Sequence, residues 1–147
     1  MQHRICQAGL LLAACFVSAA LWAEDRLSAL GIGVSDLQAS TAFYVDVLDL
    51  EVLRTYELGY LNEVVLGYPD SSGTVLVLMH WPEQQRNYDG NDVKLVFDVE
   101  DPAANLERIR ARGGQVDMEA GPIEAVPGAI IGFGRDPDNY VIELIKR

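Results

Sequence analysis

From residue 27 onward, short apolar runs and helical spacings alternate along the chain, and they do so twice in the same order. Residues 27–34 predict a strand, with Ala29, Gly31 and Gly33 on one face and Leu30, Ile32 and Val34 on the other. Ser35 or Asp36 then supplies an N-cap, and Gln38 stands three residues after Ser35 as in a capping box. Phe43, Tyr44, Val47 and Leu48 recur at helical spacing and predict a helix face turned toward a sheet. Strands are predicted over 50–58, 61–67 and 74–81, with the turn residues Pro69, Asp70, Ser71, Ser72 and Gly73 between the last two. Residues 82–91 are polar and read as a linker.

The second half repeats this plan. A strand is predicted over 93–99, followed by Asp101 as N-cap and Pro102 at the first helical position. Ala103, Leu106 and Ile109 share a helix face, and Gly113-Gly114 ends it. Further strands are predicted near 115–118, 129–134 and 140–145. Val34-Ser35-Asp36 matches Val99-Glu100-Asp101 at an offset of 101 − 36 = 65. Strand, helix and three strands, twice, predict an α+β fold of two βαβββ modules, over about 27–81 and 92–147. Each module has an apolar sheet face it cannot bury alone, so two curved sheets are expected to enclose a cleft.

The first 23 residues have a different character. A basic start, Met1 to Arg4, precedes an uncharged apolar stretch over 5–22, then Ala23 and the acidic pair Glu24-Asp25. This is the layout of a secretory signal peptide cut after Ala20 or Ala23, which predicts an exported, bacterial periplasmic domain over 24–147. As a membrane anchor the stretch is short. Leu12-Ala13-Ala14-Cys15 resembles a lipobox, which would tether the chain to a membrane through a lipidated Cys15. Cutting after Ala20 or Ala23 removes both cysteines, so no disulfide is expected. It also removes Arg4, leaving ten basic against 22 acidic residues, a charge of 10 − 22 = −12. That balance excludes nucleic acid as an expected partner, since phosphate binding needs clustered Lys and Arg.

Three segments carry a family resemblance. The run from Ser40 to Leu50, with its Phe43-Tyr44 pair, resembles the first helix signature of the vicinal-oxygen-chelate (glyoxalase I-like) family. The run from Leu106 to Gly114 is similar to that family's second helix, and the run from Asp136 to Leu144 to its closing strand. Asp49 and Asn139 stand where the family has glycine, and both residue types tolerate left-handed backbone. The nearest relatives in pattern are bacterial lactoylglutathione lyases.

The resemblance implies a Ni²⁺ or Zn²⁺ site with four ligands, a His on the first strand and a Glu on the last strand of each module. Carried over, these positions are Ala29, Leu76, Lys94 and Glu143. Alanine and leucine have no donor atom, and a protonated lysine has no lone pair. Only Glu143 remains, so no metal and no other cofactor is expected at the family position. Lys94 and Glu143 take adjacent corners, and their charges are expected to pair. His80, four residues after Leu76, is a further candidate. Strand alternation gives the expected cleft lining: Ala29, Gly31 and Gly33; Leu76, Leu78 and His80; Lys94, Val96 and Asp98; Val141, Glu143 and Ile145. Such a lining suits a small organic molecule.

Two functions stay open at this point. The favoured expectation is a metal-free module, dimeric, that binds a small molecule around Lys94, Glu143, His80, Leu76, Leu78 and Asp98. The alternative is a lactoylglutathione lyase or related lyase or isomerase. That reading would use Glu143 catalytically, either in a glyoxalase that calls for Ni²⁺ or Zn²⁺ or in a lyase with Lys94 and Glu143 as acid and base.

Overall fold

The computed structural model describes residues 27–69, 73–89 and 92–147. The segment expected to direct export, with its expected cut sites, Cys6 and Cys15, lies outside the described residues, as do the tip of the 69–73 turn and residues 90–91.

The first module is β1 (Ala29–Gly33), α1 (Leu37–Leu48), β2 (Glu51–Glu57), β3 (Asn62–Gly67) and β4 (Val75–His80). The second is β5 (Lys94–Asp98), α2 (Pro102–Ala111), β6 (Val116–Pro122), β7 (Ile130–Arg135) and β8 (Val141–Lys146). Each module forms one four-stranded mixed sheet, in the orders β1-β4-β3-β2 and β5-β8-β7-β6, and neither sheet closes on itself. In both, the first strand runs parallel to the fourth and the remaining pairs are antiparallel. β1 and β5 begin 94 − 29 = 65 residues apart, so the internal repeat is one of structure as well as sequence.

Local signals explain most of the boundaries. Asp36 caps α1, its carboxylate accepting from the Ala39 N–H at 2.9 Å, so the cap is one residue beyond a Ser35–Gln38 box. Asp101 caps α2 by accepting from Ala104 at 3.1 Å, with Pro102 at the start of the helix. Asp49 and Asn139 adopt φ of 55° and 68°, the left-handed backbone expected of them. β6 runs to Pro122, four residues past the expected end at 118. It is an edge strand, and an edge accommodates a proline that a central strand would reject.

Each helix covers one face of its own sheet, and the two helices meet. Ile32, Val64, Leu66 and Leu78 pack in the same core as Phe43, Tyr44, Val47 and Leu48 of α1. On the second sheet, Gly132 and Gly134 let α2 approach closely. A Cβ there would lie 2.8 Å from Leu106 and 2.7 Å from Ile109 respectively. Between the helices, Asn105 Nδ2 donates to the Val47 carbonyl at 2.5 Å, and Arg108 pairs with Asp49 at 2.7 Å. One core therefore spans both modules.

The loop between β7 and β8 locks the modules together. Asp138 accepts from the Ser35 N–H at 3.0 and 3.1 Å and from the Ser40 hydroxyl at 3.3 Å. Asp136 accepts from the Tyr44 hydroxyl at 2.8 Å and from the N–H groups of Asp138 and Tyr140 at 3.0 and 2.8 Å. The Tyr140 hydroxyl donates to the Gly33 carbonyl at 3.0 Å. Both carboxylates are buried.

Burial pushes the Asp136 carboxyl up to about 6. The Tyr44 and backbone hydrogen bonds oppose that shift, and the neighbouring Asp138 adds to it. A carboxyl raised on folding contributes stability that is complete below its unfolded value near 4 and is lost as pH rises through 6. The difference in unfolding free energy between the natural protein and Asp136→Asn should therefore move by about 3 kcal/mol against the natural protein from pH 4 to 7. Urea titrations of both proteins across that range measure it. A difference that does not change with pH would contradict the burial argument.

Candidate functional site

Strand register settles which residues share the uncovered faces. On the first sheet, Ala29, Gly31 and Gly33 stand opposite Val75, Val77 and Met79, and Val65 opposite Val77. On the second, Lys94, Val96 and Asp98 stand opposite Val141, Glu143 and Ile145, and Phe133 opposite Glu143. Neither helix covers these faces. Val96 is 49% exposed, and Val65, Val75, Val77 and Met79 are half-buried.

Lys94 and Glu143 come together on the second sheet. The Lys94 ammonium lies 2.5 Å from Glu143 Oε2, with side-chain exposures of 48% and 11%. β8 is central in its sheet and holds Glu143 from below, while β5 is an edge strand and leaves Lys94 open to solvent. The Phe133 ring centroid is 5.9 Å from Lys94 Nζ and adds a weak attraction for the cation. Beside the pair, Ile131, Ile145 and Ala129 form a small apolar cluster packed by Met118, Ile123 and Phe133. A cavity of about 390 Å³ opens between the end of the first sheet and β5, and Lys94, Val96, Asp98, Val75 and Leu76 are among its walls. Asp98 pairs with Arg147 at the far end of the strand.

Part of the expected lining is placed elsewhere. Leu78 is fully buried under α1, and Leu76 belongs to the same face while also lining part of the cavity. The two valines between and before them, Val77 and Val75, are the β4 residues that share the Ala29 face. His80 follows Leu78 in alternation and is not on the Ala29 face either. Its Nδ1 lies 2.9 Å from the Val34 carbonyl oxygen and its ring stacks on Tyr88 at 5.8 Å. The 82–89 segment holds it there, with the Tyr88 hydroxyl accepting from the Trp81 N–H at 3.2 Å and Arg86 stacked 3.7 Å over Trp81.

These placements bear on the metal that the family pattern implies. The Ala29 face of the first sheet presents glycine, valine and methionine around Ala29, with Glu63 at its far end opposite Met79, and the carboxylates of the second face, Glu143 and Asp98, are paired with Lys94 and Arg147. Among the described residues, no three His, Cys, Asp or Glu side chains are grouped so as to hold an ion. A tightly held Ni²⁺ or Zn²⁺ needs at least three protein ligands. The residues present do not fit one.

Comparison with known proteins changes the functional reading. The chain is 37% identical to the lactoylglutathione lyase of Salmonella typhimurium over 122 residues, covering 77% of this chain and 86% of the relative. Among solved structures, the glyoxalase I of Leishmania major superposes with a TM-score of 0.67 at 29% identity, covering 84% of this chain and 87% of that one. A glyoxalase I mutant from Zea mays superposes with a TM-score of 0.73 at 24% identity, and there the chain spans 44% of the maize protein's length. The favoured expectation of a binding module that is not a lyase is overturned by these relatives. Identities of 34–37% over more than three quarters of the chain connect it to proteins named lactoylglutathione lyase. The Glyoxalase/Bleomycin resistance protein/Dioxygenase superfamily model matches residues 26–144, the span in which the duplicated strand–helix–three-strand unit is found, and the chain belongs to that superfamily.

Proposed function

We propose that this chain is a lyase of the lactoylglutathione lyase class. Its substrate is the hemithioacetal formed by a 2-oxoaldehyde and a thiol. The reaction is an isomerisation: the carbon bearing sulfur loses a proton, the former ketone carbon gains one, the hydroxyl proton passes from the first oxygen to the second, and a 2-hydroxy thioester results. No oxidant or co-reactant is consumed. Glu143 is the base that takes the first proton and returns it to the neighbouring carbon. The observation that carries this reading is the 37% identity to a named lyase, together with the buried Glu143 on the uncovered sheet face.

The uncovered faces also support a homodimer. The first sheet presents half-buried Val65, Val75, Val77 and Met79 without a covering element. Nearby, Leu53 and Tyr56 of β2 are 42% and 39% exposed. A two-fold arrangement lays this face of one copy over the Glu143 face of another, which buries both and encloses the site. The same reading places the enzyme outside the cytoplasm, supported by the apolar segment over 5–22.

The test is a thioester-absorbance assay with the methylglyoxal–glutathione hemithioacetal, on protein purified without the leader. Thioester formation above the uncatalysed rate, proportional to protein, is the expected result. Its absence at high protein concentration would remove the lyase reading. Sedimentation of the same preparation reports whether the mass is that of two copies.

A further inference from the structure

The uncovered face has a positive charge where the family pattern calls for a metal ligand. Lys94 is at the ligand position of β5, and its ammonium is one hydrogen bond, 2.5 Å, from the Glu143 carboxylate. Of the other positions, Ala29 has no donor and β4 offers Val75, Val77 and Met79 on the same face, none of them an oxygen or nitrogen ligand.

We propose that the Lys94 ammonium takes over the electrostatic work of the divalent ion. It binds the oxyanion that develops on the substrate while Glu143 moves the proton, and the site operates without a divalent cation. The inference rests on the lyase reading, and it adds the group that stabilises the intermediate.

Three observations support it. An ammonium has three N–H donors, and Glu143 engages one, which leaves two for a ligand oxygen. The side chain is 48% exposed and is among the walls of the 390 Å³ cavity, so a ligand in that space can reach it. Glu143 is not one of those walls and meets the ligand through the side of Lys94 that it pairs with. Val96, Val75 and Leu76 line the same cavity. Apolar neighbours beside the ammonium make its attraction for a developing anion stronger than it would be in open water. The Glu143 carboxylate and the Phe133 ring hold the ammonium in place before substrate arrives, so little reorganisation is needed.

Two calorimetric titrations in metal-depleted buffer test the proposal, and neither depends on turnover. The first adds Ni²⁺ or Zn²⁺ to the natural protein and to Glu143→Gln. Heats without a one-to-one site are expected. A stoichiometric site that disappears in Glu143→Gln overturns the proposal. The second adds oxalate, a small planar dianion that resembles an enediolate. Binding to the natural protein and to Lys94→Arg is expected, with affinity about tenfold or more lower in Lys94→Met. Equal oxalate affinity in the natural protein and Lys94→Met, or none in the natural protein, also overturns it. Melting curves of the three variants establish that they are folded. If the hemithioacetal is not turned over but both titrations come out as expected, the lyase reading fails and with it the role of Lys94 in that reaction, and what stands is a metal-free site whose lysine binds anions.

Discussion

Glu143→Gln should lower kcat/KM for the hemithioacetal by about 10²–10⁴-fold, the range expected when a positioned proton-transfer group is removed. The amide has the shape of the carboxylate, so packing on the central strand β8 is preserved. Lys94 loses its partner, but it is half exposed and water replaces the lost contact. The stability change should stay within about 1 kcal/mol, as for ion pairs with a solvated member. Kinetics and thermal melts on the same sample separate the two effects. Retention of more than a fifth of the activity would show that another group moves the proton.

The second large effect concerns folding. Asp138→Ala should destabilise the chain by about 2–4 kcal/mol, because charged hydrogen bonds are lost and their buried donors are left unpaired. Asp138 is 7% exposed and receives the Ser35 N–H and the Ser40 hydroxyl from the other module. Ser40 is itself fully buried, so no water substitutes for the missing acceptor. Asp138→Asn keeps one oxygen at the same place and should recover about half of the loss. Denaturant midpoints of the three proteins measure this. A midpoint for Asp138→Ala equal to the natural one would mean that the modules are held by the apolar core alone.

The module plan was legible because two independent signals agreed, the periodicity of each segment and the 65-residue repeat. Cap residues placed both helix starts to within one position. The phase of β4 was not legible, for a definite reason. Val75, Leu76, Val77, Leu78 and Met79 are all apolar, so alternation has no polar member to mark the open face. Only packing under α1 decides it, and it sends Leu76 and Leu78 inward. For β5 and β8 the phase was legible, since Lys94 and Glu143 are charged and mark one face of each strand. The roles of Asp136 and Asp138 were hidden for another reason. Their partners Tyr44 and Ser35 lie 92 and 103 residues away, and no local pattern connects them. Reading Asp136 to Leu144 as a closing-strand signature found the segment but not its work as a clamp.

Parallel pairing gives the site a place in time. β5 has a single neighbour, β8, whose pairing residues follow 141 − 94 = 47 positions later. Until β8 has been made and has paired with β7, Lys94 has no sheet to join. The hairpins β2–β3 and β6–β7 close over short loops, whereas both parallel seams wait on long ones, and long loops close slowly. The charge pair at the site therefore belongs to the slowest-forming part of the molecule. A chain caught early in refolding would have hairpins and helices but no Lys94–Glu143 contact, and recovery of ligand binding would trail recovery of secondary structure.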